Sequence, residues 1–408
     1  MHKYGGKLLN NIKTRQSAIV KQLGSSIFSE VSSWKRASIE AGHDVIDLSI
    51  GSPDQAPSLA VRQALANAVL EADQYAYPAT SLGLPFRSQA ALWMQYRFGV
   101  TINPLTELVV LSGSQDGLAH LAMAIAERGS IAILPDPGYP IYAGSLALAG
   151  IEPYHIPLLE EHDYLPNLES IPEEILDKTS FMILNYPNNP LTAVANLQFF
   201  EDVISFARRH NIVVVHDLAY SEMGYDEKEK PPSILQVEGA KEIAIELHSL
   251  SKSFNMAGCR IGFIVGNEEL IQSLATLKNN IDFGVFTPIQ QAGIVALQEA
   301  MFNPQFVKAS DVYKQRRDAF MNALAEAGWV APPPKATMFV WLKLPNSQNV
   351  KWTSRQFSKQ LLEETGVVVI PGDAFGPAGE GYIRIALVEE EARLIEAATR
   401  IGRFINNK

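Results

Sequence analysis

Cysteine is nearly absent from this 408-residue chain, which carries one. A lone thiol excludes an internal disulfide framework and any zinc site built on paired cysteines, and it suits a reducing compartment. Long hydrophobic runs are missing as well. No stretch approaches 18 consecutive apolar residues, so no helical membrane span is expected. Charge is sparse, at 19% of residues, and acidic in balance: 44 Asp and Glu against 34 Lys and Arg, a net −10. That sign argues against bulk affinity for nucleic acid or an anionic membrane. The apolar fraction of 47% supplies a large core and leaves little room for disorder. A cytoplasmic protein is the expectation.

Several signatures are missing too. There is no G-x-G-x-x-G, no G-x-x-x-x-G-K-S/T and no G-x-S-x-G, so dinucleotide, Walker-loop and serine-hydrolase readings lack support. The eight histidines show no H-x-H or H-x-x-x-H spacing, and no metal is expected. Acidic residues are absent from Met1 to Ser29, where Lys3, Lys7, Lys13, Arg15 and Lys21 are basic. The Gly5-Gly6 break and single Arg fit a transit peptide poorly. This segment reads as an arm packing on the body or on a partner subunit.

What is present is a series of short, almost wholly apolar runs: 45–50, 108–112, 131–135, 181–185, 212–217, 242–248 and 261–265. Runs without polar alternation read as strands buried on both faces. Helical patterns alternate with them, as where Phe199, Val203, Ile204 and Ala207 share one face of a helix over 194–210. The expected class is α/β, with a large domain of mostly parallel seven-stranded sheet sandwiched by helices. After about Asn267 the pattern changes to helices near 268–280 and 288–325, then strands near 338–344, 367–370 and 382–387, then a terminal helix. The expected organisation is an arm and part of a small domain over 1–49, a large domain over 50–285, and an interdomain helix and C-terminal small domain over 286–408. The small α+β domain is thus built from both chain ends.

In an open α/β sheet, ligands bind beyond the carboxyl ends of the strands. Gly113-Ser114-Gln115 opens a helix after the 108–112 strand, a turn suited to an anion. Asn188-Asn189-Pro190 follows 181–185. Asp217 ends an intensely apolar strand, where a carboxylate is costly without a cationic partner. Lys252 follows 242–248 among Ser249, Ser251 and Ser253, and Arg260 lies eight residues on. Each alone reads as an ordinary turn, cap or surface residue. Together, an amine, a buried acid, an amide, an arginine and an anion loop suit pyridoxal phosphate.

Ser249-Leu250-Ser251-Lys252-Ser253-Phe254 with Gly258-Cys259-Arg260-Ile261-Gly262 resembles the Schiff-base lysine motif of class I/II aminotransferases, the fold-type-I pyridoxal-phosphate enzymes. Further blocks resemble that family in the expected order: 48–54, 136–140, 188–190, 216–220 and 382–386. The diaminopimelate and aspartate aminotransferase-like branch lies nearby. The resemblance implies that Lys252 binds the cofactor and serves as base and acid, and that Asp217 pairs with the pyridine nitrogen. It places Asn189 and Tyr220 at the phenolate oxygen and Tyr139 on the ring. It assigns Gly113, Ser114, Gln115, Ser249 and Arg260 to the phosphate, and Arg384, Gly51 and Asn189 to the substrate. Tyr77 would reach the phosphate of a neighbouring subunit, so a homodimer with shared sites is implied.

The implied reaction moves an amino group from a 2-amino acid to a 2-oxo acid by a ping-pong mechanism. A β-lyase or cyclising enzyme of the same fold, or a non-catalytic cofactor-binding regulator, are the competing readings. Three departures stand out. Asn189-Pro190-Leu191-Thr192 replaces the usual Asn-Pro-Thr-Gly, which predicts an altered turn. Phe28 lies in a block where relatives acting on diaminopimelate carry Tyr, and 279–288 lacks the arginine of aspartate-specific relatives. Phe286, Met338 and Phe339 hint at an apolar-tolerant pocket, though core packing explains them equally well.

Overall fold

The computed structural model describes residues 17–23, 27–78, 83–226, 228, 230–345 and 351–408. Most of the basic arm, with Lys3, Lys7, Lys13 and Arg15, lies outside them. The strands, in chain order, are β1 Ile46–Asp47, β2 Leu108–Leu111, β3 Ile131–Asp136, β4 Glu152–Pro157, β5 Thr179–Leu184 and β6 Val213–Asp217. They continue with β7 Ala244–Ser249, β8 Gly262–Gly266, β9 Phe339–Lys343, β10 Val367–Val368, β11 Ile370–Pro371 and β12 Tyr382–Ala386.

Seven strands form the main sheet in the order β2-β8-β7-β6-β5-β3-β4. Only β8 runs against the others. Alternate residues of these strands feed two separate cores. Met182, Leu184 and Val214 face one helical layer; Phe181, Ile183 and Val215 face the other. Burial on both faces is why these strands read as unbroken apolar runs.

Two expectations are corrected here. The run 45–50 does not join the large sheet: only Ile46–Asp47 is strand, and it pairs in parallel with Val367–Val368. The seventh strand is instead β4, which pairs with β3 at the sheet's edge. Its side chains are mostly exposed, with Ile156 alone buried, so it shows no apolar run. The helical stretch over 288–325 is also two helices, Thr287–Phe302 and Ala309–Glu326. Pro304 lies in the break, where its missing N–H and fixed φ cannot continue a helix.

Local rules set the remaining helices. Leu197–His210 begins where the Asn196 side chain accepts from the Phe199 N–H at 2.9 Å, a cap worth about 1 kcal/mol. It ends at Asn211 in the left-handed region, with Arg208, Arg209 and His210 in the last turn, as the helix dipole prefers. A smaller antiparallel sheet, β11-β12-β9, packs with the terminal helix Glu391–Asn406. Leu48 N–H donates to Val368 O and Ala386 N–H to Leu48 O, so residues after β1 are stitched to the C-terminal part. No helix among the described residues is long and apolar enough to cross a membrane.

Candidate active site

The C-terminal ends of β5, β6 and β7 open into a cavity of about 810 Å³. Because β8 is reversed, the segment before it, Ala257–Arg260, arrives at the same edge. Every candidate residue except Gly113 and Tyr77 lines this cavity. Gly113 stands behind it: at φ 78 it caps the helix Ser114–Ile125, and an added Cβ would lie 2.7 Å from an Arg260 guanidinium nitrogen. Only glycine admits both the left-handed backbone and the close arginine. Ser114, Gln115, Ser249, Ser251 and Arg260 thus surround a helix N-terminus, a built anion cup.

Tyr77 is elsewhere. It is 80% exposed, and its ring contacts Phe283 at 5.5 Å. Within one chain it does not reach the cavity lining.

Asp217 ends β6 and is buried. The Tyr142 hydroxyl donates to its Oδ2 at 2.8 Å, while Oδ1 has no partner. Burial pushes its carboxyl above the usual range, against the hydrogen bond from Tyr142. A buried acid with one unpartnered oxygen facing a cavity can accept from a cationic N–H. Lys252 lines the same cavity, with Nζ 2.5 Å from Gly51 O. Burial, then the positive charges of Arg384 and Arg260, lower its pKa to about 8. Near neutral pH such an amine keeps an appreciable uncharged fraction.

Arg384 on β12 is buried, and burial lowers its pKa to about 10. Its guanidinium donates to Asn189 Oδ1 and Ser49 O, each at 2.9 Å, and stands against the rings of Phe339 and Phe375 at 4.3 and 4.8 Å. The Gly51 segment is tied down by Asp54, which takes a two-point contact from Arg316 at 2.7 and 2.8 Å. Tyr139 packs edge-on against Tyr142 at 5.8 Å, and Tyr220 against Phe339 at 6.0 Å. Burial raises the pKa of both Tyr139 and Tyr220, so both stay protonated donors at neutral pH.

Sequence reasoning missed Tyr142 and Asn185; Phe28, noted there for the block it stands in, lines the cavity. Tyr142 follows Tyr139 by three residues, and its N–H donates to the Tyr139 carbonyl at 3.0 Å in the turn that leads into the helix Ile141–Ala149. Asn185 donates to the Asp217 carbonyl at 2.7 Å and accepts from the Asn189 N–H at 2.9 Å, so it locks two strand ends together. Met338 is buried in the small core and Phe286 does not line the cavity; of the three bulky residues only Phe339 does. In the turn after Asn189, Thr192 takes φ 61, and its N–H donates to Asn188 O at 3.0 Å. A β-branched residue there is strained.

An acid with a free oxygen, an amine of lowered pKa and an anion cup fit pyridoxal phosphate, and together with the doubly wound sheet they define an enzyme site of that cofactor class. Residues 43–401 match the family model for aminotransferase class I and II. The chain is 45% identical over 376 residues to an LL-diaminopimelate aminotransferase of Trichormus variabilis, covering 92% of this chain and 95% of that one. Among solved structures it resembles substrate-bound BacF of Bacillus subtilis at 37% identity and TM-score 0.89, covering 96% and 98% of the two chains. A probable N-succinyldiaminopimelate aminotransferase of Thermus thermophilus is 39% identical at TM-score 0.85, covering 93% and 100%. The chain belongs to the class I and II aminotransferases and, with them, is a pyridoxal-phosphate-dependent transaminase.

Proposed function

We propose that Lys252 and Asp217 are the two poles of the catalytic site, with Lys252 the amine that bonds the cofactor and is displaced by the amino group of a 2-amino acid. The observation that carries this reading is the pairing of a lowered-pKa amine and an orphaned buried carboxylate on one cavity. When bound, pyridoxal phosphate supplies the electron sink that lets an α-proton leave. The free Oδ1 of Asp217 would accept from the ring nitrogen, while Tyr142 holds Oδ2.

Asn189 and Tyr220 would donate to the ring oxygen, and Tyr139 would cover the ring. Gly113, Ser114, Gln115, Ser249 and Arg260 would take the phosphate. Arg384 would fork onto the α-carboxylate, with the Gly51 backbone beside it. The Lys252 amine would take the α-proton as base and return it as acid, a task suited to an amine whose pKa is lowered to about 8. The donor leaves as its 2-oxo acid, and a second 2-oxo acid is aminated by the reverse steps.

The reading extends to a homodimer in which Tyr77 reaches the neighbouring subunit's phosphate. Exposed Tyr75, Tyr77, Ile281, Phe283 and Phe286, with contacts Tyr75–Phe286 and Tyr77–Phe283, support it. It extends also to the division at residues 1–49, 50–285 and 286–408, supported by the separate cores of the two sheets. A cytoplasmic location rests on the single, unpaired Cys259.

The test is borohydride reduction of the holoenzyme followed by peptide mass spectrometry. Wild type is expected to carry the cofactor on Lys252, and Lys252→Ala to lose both the adduct and more than about 1,000-fold in kcat. An adduct retained by Lys252→Ala removes this lysine from its role.

A further inference from the structure

The cavity has more wall than the roles above use. Four charged side chains line it: Asp217, Lys252, Arg260 and Arg384. The cofactor's ring nitrogen, its attachment and its phosphate take the first three, and the donor's α-carboxylate takes Arg384. No charged group of the same subunit is then left among the described lining residues to meet a donor's side chain.

The unused wall is hydrocarbon. Phe28, Leu23, Ile141, Ala147 and Ile151 line it, with Gly144 between them. It starts at Arg384 itself: the Phe28 ring stands 5.9 Å from the guanidinium carbon and packs edge-on against Phe375 at 5.8 Å. It continues across the helix Ile141–Ala149 to the helix Ala18–Leu23. An added Cβ on Gly144 would lie 3.7 Å from the Leu23 Cδ2 atom, so these two helices face each other at contact distance. Leu23 remains 45% exposed at this rim. A charged side-chain end entering here would shed water and find no partner among these wall residues, whereas an apolar one gains by burial.

We infer that the site selects an amino donor with an uncharged, apolar side chain, seated against Phe28, Leu23 and Ile141. The inference rests on the aminotransferase roles proposed above and narrows their substrate class. It sets this chain apart from relatives named for LL-diaminopimelate, a donor whose far end carries a second ammonium and a second carboxylate.

Single-turnover measurements on the holoenzyme test it. Each donor loses its amino group to the cofactor, one water is consumed and one 2-oxo acid is released, so fading of the yellow form reports the half-reaction. The panel is L-phenylalanine, L-leucine, L-methionine, L-alanine, L-aspartate, L-lysine and LL-diaminopimelate. The three larger apolar donors are expected to exceed the charged ones by about 100-fold or more in kcat/KM. A charged donor in the lead overturns the apolar assignment and leaves the catalytic roles standing. Conversion of no donor overturns those roles, and the assignment with them.

Phe28→Ala and Ile141→Ala separate specificity from general damage. Phe28 also packs near Arg384, so absolute rates fall for every donor; the ratio of L-phenylalanine to L-alanine isolates the side-chain contact. Each variant is expected to shrink that ratio about tenfold. A ratio unchanged in both overturns the placement of the donor's side chain on this wall. Ile141→Ala stands independently of whether Phe28→Ala folds.

Discussion

Two carboxylates on neighbouring strands of the main sheet meet opposite fates. Asp217 ends β6, and Glu246 sits mid-strand on β7, in register with His216. Both are sealed from water. Glu246 accepts from His216 Nδ1 at 2.9 Å, His248 Nε2 at 2.8 Å, the Ser233 hydroxyl at 2.7 Å and the Ile234 N–H at 2.9 Å. These donors outweigh burial and hold its carboxyl at about 2. Asp217 has one side-chain donor and an orphaned oxygen, so burial wins and its carboxyl rises. A buried acid whose bonds are complete belongs to the architecture; one left incomplete at a cavity belongs to the chemistry.

The sharpest way to break this contrast is Glu246→Ala. It leaves two histidines, a hydroxyl and a backbone N–H without their acceptor, and is expected to cost about 3–5 kcal/mol of stability. Holoenzyme that does fold should keep kcat within a few-fold of wild type, measured alongside denaturant unfolding. Asp217→Asn should do the reverse. Its kcat/KM is expected to fall by about 100- to 1,000-fold, since a charge aimed at the cofactor is lost. Stripped of cofactor, however, the Asn variant should melt above wild type at pH 7, because an uncompensated buried charge is gone. Cofactor should then raise the melting temperature of wild type more than that of the variant.

Acid titration gives a subtler test. The folded carboxyl of Glu246 lies below its unfolded value of 4.5. Its stabilisation is therefore complete above about pH 4.5 and is lost as pH falls towards about 2. Wild type should lose stability in that window more steeply than Glu246→Gln. Asp217, shifted upward, acts with opposite sign: in the cofactor-free protein its contribution declines as pH rises past 3.8.

The smallest effect belongs to Thr192, held at φ 61. Thr192→Gly relieves that strain at the cost of unfolded-state entropy, for a net gain of up to about 1 kcal/mol by denaturant unfolding. Activity should stay within two-fold.

Much of the site was legible because strand ends are. Asp217, Lys252 and Arg260 are costly residues at the edges of apolar runs, and the chain topology brings such edges together, while Arg384, in the middle of β12, was marked only by the family resemblance of its block. Tyr142 and Phe28 carried no such mark. An aromatic on a helix looks the same whether it fills a core or caps a catalytic acid. The edge strand β4 was hidden for a related reason: one exposed face removes the unbroken apolar pattern that revealed its neighbours.

The lone cysteine and the spacing of apolar runs determined, from sequence alone, an α/β chain with no internal disulfide staple; the residues at the strand ends and the family resemblance they carry supplied the enzyme reading. They also determined which costly side chains would gather, because hydrophobic period and strand direction are local properties of the chain. Which of two buried acids stays unsatisfied, which face of Arg384 is walled by phenyl rings, and that Thr192 can hold a glycine's conformation were decided only in the tertiary structure. Hydrogen-bond completion and cavity lining draw in partners as far as 30 and 335 residues away in the chain, as His216 is from Glu246 and Ser49 from Arg384, and no local pattern encodes those.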